Sequence, residues 1–140
     1  MNYDMIGPAL ALGLCAIGSS IGCYIAGAAS HAVMARTEEG HGKYIGLAAA
    51  PSSQCIYGVV LMIMMQSAIK AGTLSAVSGI GIGLFVGLAI AASSVFQGKV
   101  CATGIQATAK QPALFGKCFA SVGIIESFAL FALVFAIMLM

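Results

Sequence analysis

Charged residues are so sparse along this chain that they divide it into four long apolar stretches: Asp4 to Arg36, Lys43 to Lys70, Lys70 to Lys99 and beyond, and Lys117 to the end. Each stretch exceeds the roughly 20 residues that a helix needs to cross a bilayer. The pattern predicts membrane helices at about 5–35, 43–70, 77–108 and 113–139. The links between them are short and polar, so successive helices should lie antiparallel. The expected fold is all-α and membrane-embedded: four transmembrane helices forming two tandem helical hairpins, 1–74 and 75–140.

The second hairpin repeats the first. Ser19-Ser20 answers Ser93-Ser94, and Ala35-Arg36 with Gly42-Lys43 answers Ala109-Lys110 with Gly116-Lys117. Hairpins that enter the membrane from the same side form a parallel duplication, a kind of repeat suited to side-by-side assembly. The first and third spans are rich in glycine and contain the GxxxG pairs Gly18/Gly22 and Gly83/Gly87. In lipid, small residues let helix backbones approach closely. The glycine-rich spans are therefore expected to form a crowded inner layer, with the bulkier second and fourth spans outside.

Composition narrows the class. Hydrophobic residues make up 61% of the chain and charged ones 7%, against about 25% charged in soluble domains. The net charge of +2 is scattered, and no basic or aromatic-basic stripe suggests nucleic acid. The segment before the first span lacks the basic stretch of a signal peptide, so that span is expected to be retained. The five cysteines show no CxxC spacing, and most lie in apolar runs, where they act as small hydrophobes. Arg36, Lys43, Lys110 and Lys117 cluster in the links 36–43 and 109–117, a bias that places those links in the cytoplasm and both termini on the opposite side.

One acid stands out. Glu126 lies about 13 Å along the last helix from Lys117, near the middle of a bilayer whose hydrocarbon is roughly 30 Å thick. A charge there costs roughly 2.5–3.5 kcal/mol on insertion scales, so it normally marks function. Ser53, Gln54 and Gln97 fall at a similar depth, about 15–17 Å from the same membrane face. Tyr57, one turn beyond Ser53, can offer its hydroxyl to the carboxylate. A proton carrier needs only the carboxyl, whereas a hard cation wants several oxygens. The surplus of oxygens therefore favours an alkali cation over a bare proton. Pro51 adds to this, because it should deprive the Leu47 carbonyl of its helical donor. The plainer reading of Ser53, Gln54 and Gln97 is interhelical hydrogen bonding. Lys99, two residues past Gln97, should face away from the site, and His31 reads as a helix-end histidine.

These residues together resemble the c subunit, or proteolipid, of rotary V-type and A-type ATPases in its duplicated four-helix form. The resemblance spans nearly the whole chain. It is carried by the glycine-rich spans, Ala109-Lys110-Gln111-Pro112, Pro51-Ser52-Ser53-Gln54-Cys55-Ile56-Tyr57-Gly58, Gln97-Gly98 and Glu126. It implies a ring of identical subunits, a non-catalytic part of an ATP-driven ion-translocating complex with no hydrolytic site in this chain. A stator membrane subunit would supply an arginine, a central-stalk subunit would meet the links 36–43 and 109–117, and lipid would surround the ring. It also implies a sodium site formed by the Ala50 backbone carbonyl, Ser53, Gln54, Gln97 and Glu126, with Tyr57 hydrogen-bonded to the glutamate. Ser53 stands where threonine is usual and Ala50 where a larger apolar residue is usual. The alternatives are a proton rotor, a structural pore, and a small multidrug-type secondary transporter. The last would hold its glutamate in the first helix among aromatics including Trp, which this chain lacks.

Overall fold

Residues 3–140 are described by the computed structural model. The first span is one helix, α1 (Ile6–Met34). Pro8 sits in its first turn, where a missing N–H leaves no helical bond unmade. The second span is broken. It begins as α2 (His41–Ala49) after Gly40, whose φ of 82° lies in the left-handed region glycine favours, passes through a 3-10 turn at Ala50–Ser52 and resumes as α3 (Ser53–Ala71). Pro51 lies in that tightened turn. The expectation of an unpartnered Leu47 carbonyl is corrected here. The 3-10 turn brings the Ala50 N–H onto Leu47 in place of the donor that proline lacks.

Gly72, at φ 77°, ends α3 in a Schellman motif: its N–H donates to the Ile69 carbonyl at 3.0 Å and that of Thr73 to Ala68 at 3.0 Å. Three residues later the Ser75 hydroxyl caps α4 (Ala76–Lys110), accepting the Ser78 N–H at 3.2 Å. α4 stops at Gln111, which is extended because Pro112 follows it. A 3-10 turn at Pro112–Leu114 leads into α5 (Phe115–Met138). The second span, from His41 to Ala71, and the last, from Pro112 to Met138, are both long and apolar enough to cross a membrane, as are α1 and α4.

The helices are joined chiefly by the α1–α4 seam. A methyl group on Gly7 would overlap the Gly79 carbonyl, one on Gly18 would overlap Ala91, and one on Gly83 would overlap Gly7. Gly22 and Gly98 abut each other, and Gly87 faces Leu14. Both GxxxG pairs therefore serve contact between α1 and α4 within the chain. α3 packs on α1, α5 packs on α4, and α3 and α5 also meet. A cluster of Ala11, Cys15, Leu61, Met65, Ile90, Ala129 and Leu133 fills one half of the interior. Above it, near α2, Leu47, Cys101, Ile105 and Val122 form a second cluster. Between the two clusters in sequence depth lie the polar side chains.

Candidate functional site

Three helices supply the polar layer, and each does so for a local reason. α3 restarts at Ser53 just after the Pro51 turn, which sets Ser53 and Gln54 in its first turn and Tyr57 one turn later, reaching α4 and α5. α4 brings in Ser93, Ser94 and Gln97, which share one face at spacings of three and four residues. α5 contributes Glu126, half-buried, with Ile124 (63% exposed) and Phe128 (65% exposed) flanking it on the outer surface of the bundle.

Glu126 Oε1 accepts two short hydrogen bonds, from the Ser53 hydroxyl and the Tyr57 hydroxyl, each at 2.6 Å. That length is typical of O–H donors to a carboxylate, roughly twice as strong as neutral pairs. Ser53 Oγ also lies 3.0 Å from the Ala50 carbonyl. Its single proton serves one acceptor at a time, and the shorter bond to a carboxylate is the stronger. Glu126 Oε2 is less committed, with Gln97 Nε2 at 3.5 Å. The same Nε2 lies 3.3 Å from the Val122 carbonyl. Gln54 and Gln97 are fully buried. Gln54 Nε2 donates to Gln97 Oε1 at 3.1 Å and to Ser93 Oγ at 3.3 Å, while Ser93 donates to the Ile125 carbonyl at 2.9 Å.

One oxygen is left over. Gln54 Oε1 is buried and receives no hydrogen bond. An unsatisfied buried acceptor costs about 1–3 kcal/mol, so such groups are normally partnered. A cation beside it would supply the missing partner.

The structure thus brings Ser53, Gln54, Tyr57, Gln97 and Glu126 into one connected network, with Ala50 joined through Ser53. In one respect it differs from the expected oxygen nest. Gln97 turns its N–H toward Glu126, and its oxygen is occupied by Gln54. Two participants escaped sequence reading: Ser93, which bridges Gln54 to α5, and Ser94, whose hydroxyl donates to the Pro51 carbonyl at 3.0 Å and ties the turn to α4. Their position one turn before Gln97, together with the Ser19-Ser20 repeat, was the available signal. Lys99 is exposed on the opposite side of α4, its ammonium 5.6 Å above the Phe96 ring. His31 lies in the last turn of α1.

Four apolar spans around a deep, hydrogen-bonded carboxylate define an integral multi-pass membrane protein with one acidic site built across helix boundaries. The chain belongs to the family of ATP synthase C subunits, whose pattern it matches twice, over residues 6–65 and 80–139. The chain is 33% identical to the A-type ATP synthase subunit K of Methanocaldococcus jannaschii over 135 residues, which cover 96% of this chain and 60% of that protein. It is 27% identical to the V-type sodium ATPase subunit K of Enterococcus hirae over 141 residues, covering 99% of this chain and 90% of that one. The chain therefore spans less than two thirds of the first relative's length and most of the second's.

Proposed function

We propose that this chain is the ion-carrying rotor subunit of the membrane sector of a V/A-type ATPase, translocating Na+ by binding it at Glu126 as a ring of identical copies turns. The observation that carries the reading is the network around the Glu126 carboxylate, which joins the two family-matching halves of the chain. Oε1 is held by two hydroxyls while Oε2 and the orphaned Gln54 Oε1 remain to meet a cation. The Ala50 carbonyl, 3.0 Å from Ser53 Oγ, stands beside the set as a further oxygen. The charge of the ion would cancel that of Glu126, which lowers the cost of moving the site past lipid. The Enterococcus relative is by name a sodium ATPase subunit, which supports the choice of ion.

In this reading the chain divides into hairpins 1–74 and 75–140, and only the second carries a carboxylate inside a membrane span, Glu126. The basic links 36–43 and 109–117 face the cytoplasm and meet a central-stalk subunit, and both termini lie on the other side. A stator subunit supplies an arginine that displaces the ion as each copy passes. One acid for two hairpins halves the ions carried per turn relative to an unduplicated ring of equal helix number, a gearing that suits ATP-driven pumping.

The deciding experiment is carbodiimide labelling of the purified protein at fixed pH with and without sodium. Modification at Glu126 that sodium suppresses supports the cation site; modification that responds to pH and ignores sodium identifies a proton rotor. The transporter reading predicts recovery of a monomer or dimer from mild detergent instead of a larger ring. Tyr57→Phe removes one charge-assisted hydrogen bond worth about 1.5–3 kcal/mol. The sodium concentration giving half protection should therefore rise by about tenfold or more, with the protein otherwise assembled.

A further inference from the structure

A second polar feature lies away from Glu126, at the end of the bundle where α1 and α4 both finish. There a groove of about 430 Å³ runs between the two helices. Ala29, Ala32, Val33 and Ala109 supply its apolar lining, and Arg36 and Lys110, both exposed, line it as well. Gln106 and Thr37 complete the lining. No acid lines it. Arg36 and Lys110 are exposed, and neither is paired with a carboxylate among the described residues. The Thr37 hydroxyl already donates to the Val33 carbonyl at 3.1 Å, whereas the Gln106 amide has no protein partner among the described residues.

We propose that this groove binds an anionic phospholipid, with the phosphate held between Arg36 and Lys110 and an acyl chain lying along the alanine-lined floor. The chemistry is two-part, as the ligand is. Two cations at the level of the membrane surface attract a phosphodiester, and a guanidinium can grip it with paired donors. The Gln106 amide lies within the same groove to donate to the ester oxygens. Basic pockets between membrane helices are recognised sites for acidic head groups. An acidic soluble protein would complement the cations and leave the apolar walls uncovered.

The stripe below the groove points the same way. From Lys110, the exposed residues Gln106, Thr103 and Lys99 follow at about one-turn intervals along α4. Lys99 thus carries its ammonium into the apolar span, over the Phe96 ring and with no carboxylate partner among the described residues. A cation so placed needs water or a counter-anion. A head group seated in the groove brings both to the upper end of that stripe.

The test uses the full chain reconstituted in phosphatidylcholine vesicles containing either spin-labelled phosphatidylglycerol or spin-labelled phosphatidylcholine. The immobilised fraction of each is measured, and their ratio gives the preference for the anionic lipid. Each basic residue near a charged surface contributes about fivefold in affinity. The ratio should fall about fivefold in Arg36→Gln or Lys110→Gln and approach parity in the double variant. Lys43→Gln/Lys117→Gln, which removes the same charge at the same end of the bundle outside the groove, should leave it high. An unchanged ratio in the first pair, an equal fall in the second, or displacement of the labelled lipid by inorganic phosphate would each overturn the proposal.

Discussion

Replacing Glu126 by glutamine is expected to abolish ion transport while leaving the helical bundle intact. Glutamine retains an Oε1 that can accept from Ser53 and Tyr57, now 2.6 Å donors to the carboxylate, so the α3–α5 link survives in weaker, neutral form. The expected stability change is small, within about 1–2 kcal/mol. Transport is another matter, because a neutral amide neither balances a cation's charge nor exchanges a proton. Uptake of radiolabelled sodium into vesicles carrying the assembled complex should drop to that of protein-free vesicles, and carbodiimide labelling at position 126 should vanish. Uptake clearly above that background would remove Glu126 from the pathway.

The second large effect lies at a residue with no chemistry. Gly98 faces the backbone of Gly22, so any side chain there forces α1 and α4 apart. Overpacking of a close-packed contact typically costs about 1–3 kcal/mol. Gly98→Leu should reach or exceed the upper end of that range, since in lipid the packing itself holds the helices together. Gly98 also follows Gln97 directly. The contact of Gln97 with Glu126 is already long at 3.5 Å, and a displaced α4 would break it. Unfolding in mixed detergent micelles should show the destabilisation, with Gly123→Leu, whose added group meets nothing within 4 Å, as the unaffected comparison. Equal stability of the two variants would mean that the α1–α4 seam contributes little to folding.

Much of the architecture was readable in advance because its causes are local. Sparse charges limit each apolar span, and the glycines of the first and third spans mark the helices that approach most closely. Glu126 stood out because no other acid occupies the interior of a span. The Pro51 region was only half legible. Proline announces a disturbance, but whether the backbone opens a carbonyl or tightens into a 3-10 turn depends on what packs against it, and here Ser94 secures the turn by bonding the Pro51 carbonyl. Ser93 was missed for a related reason: a helical serine can satisfy itself on its own backbone, as Ser20, Ser121 and Ser127 do here.

What the amino-acid order determined by itself was a set of four membrane helices, a duplicated hairpin, and one carboxylate at a depth shared with two amides, because hydropathy and helical rise are properties of the chain alone. Tertiary structure decided which atoms meet. Helix rotation and the α1–α4 glycine contacts placed both hydroxyls on Oε1, turned the Gln97 N–H toward Oε2 and left Gln54 Oε1 without a donor. Depth can be counted along one helix, but the direction in which a side chain points is set only when neighbouring helices lock against it.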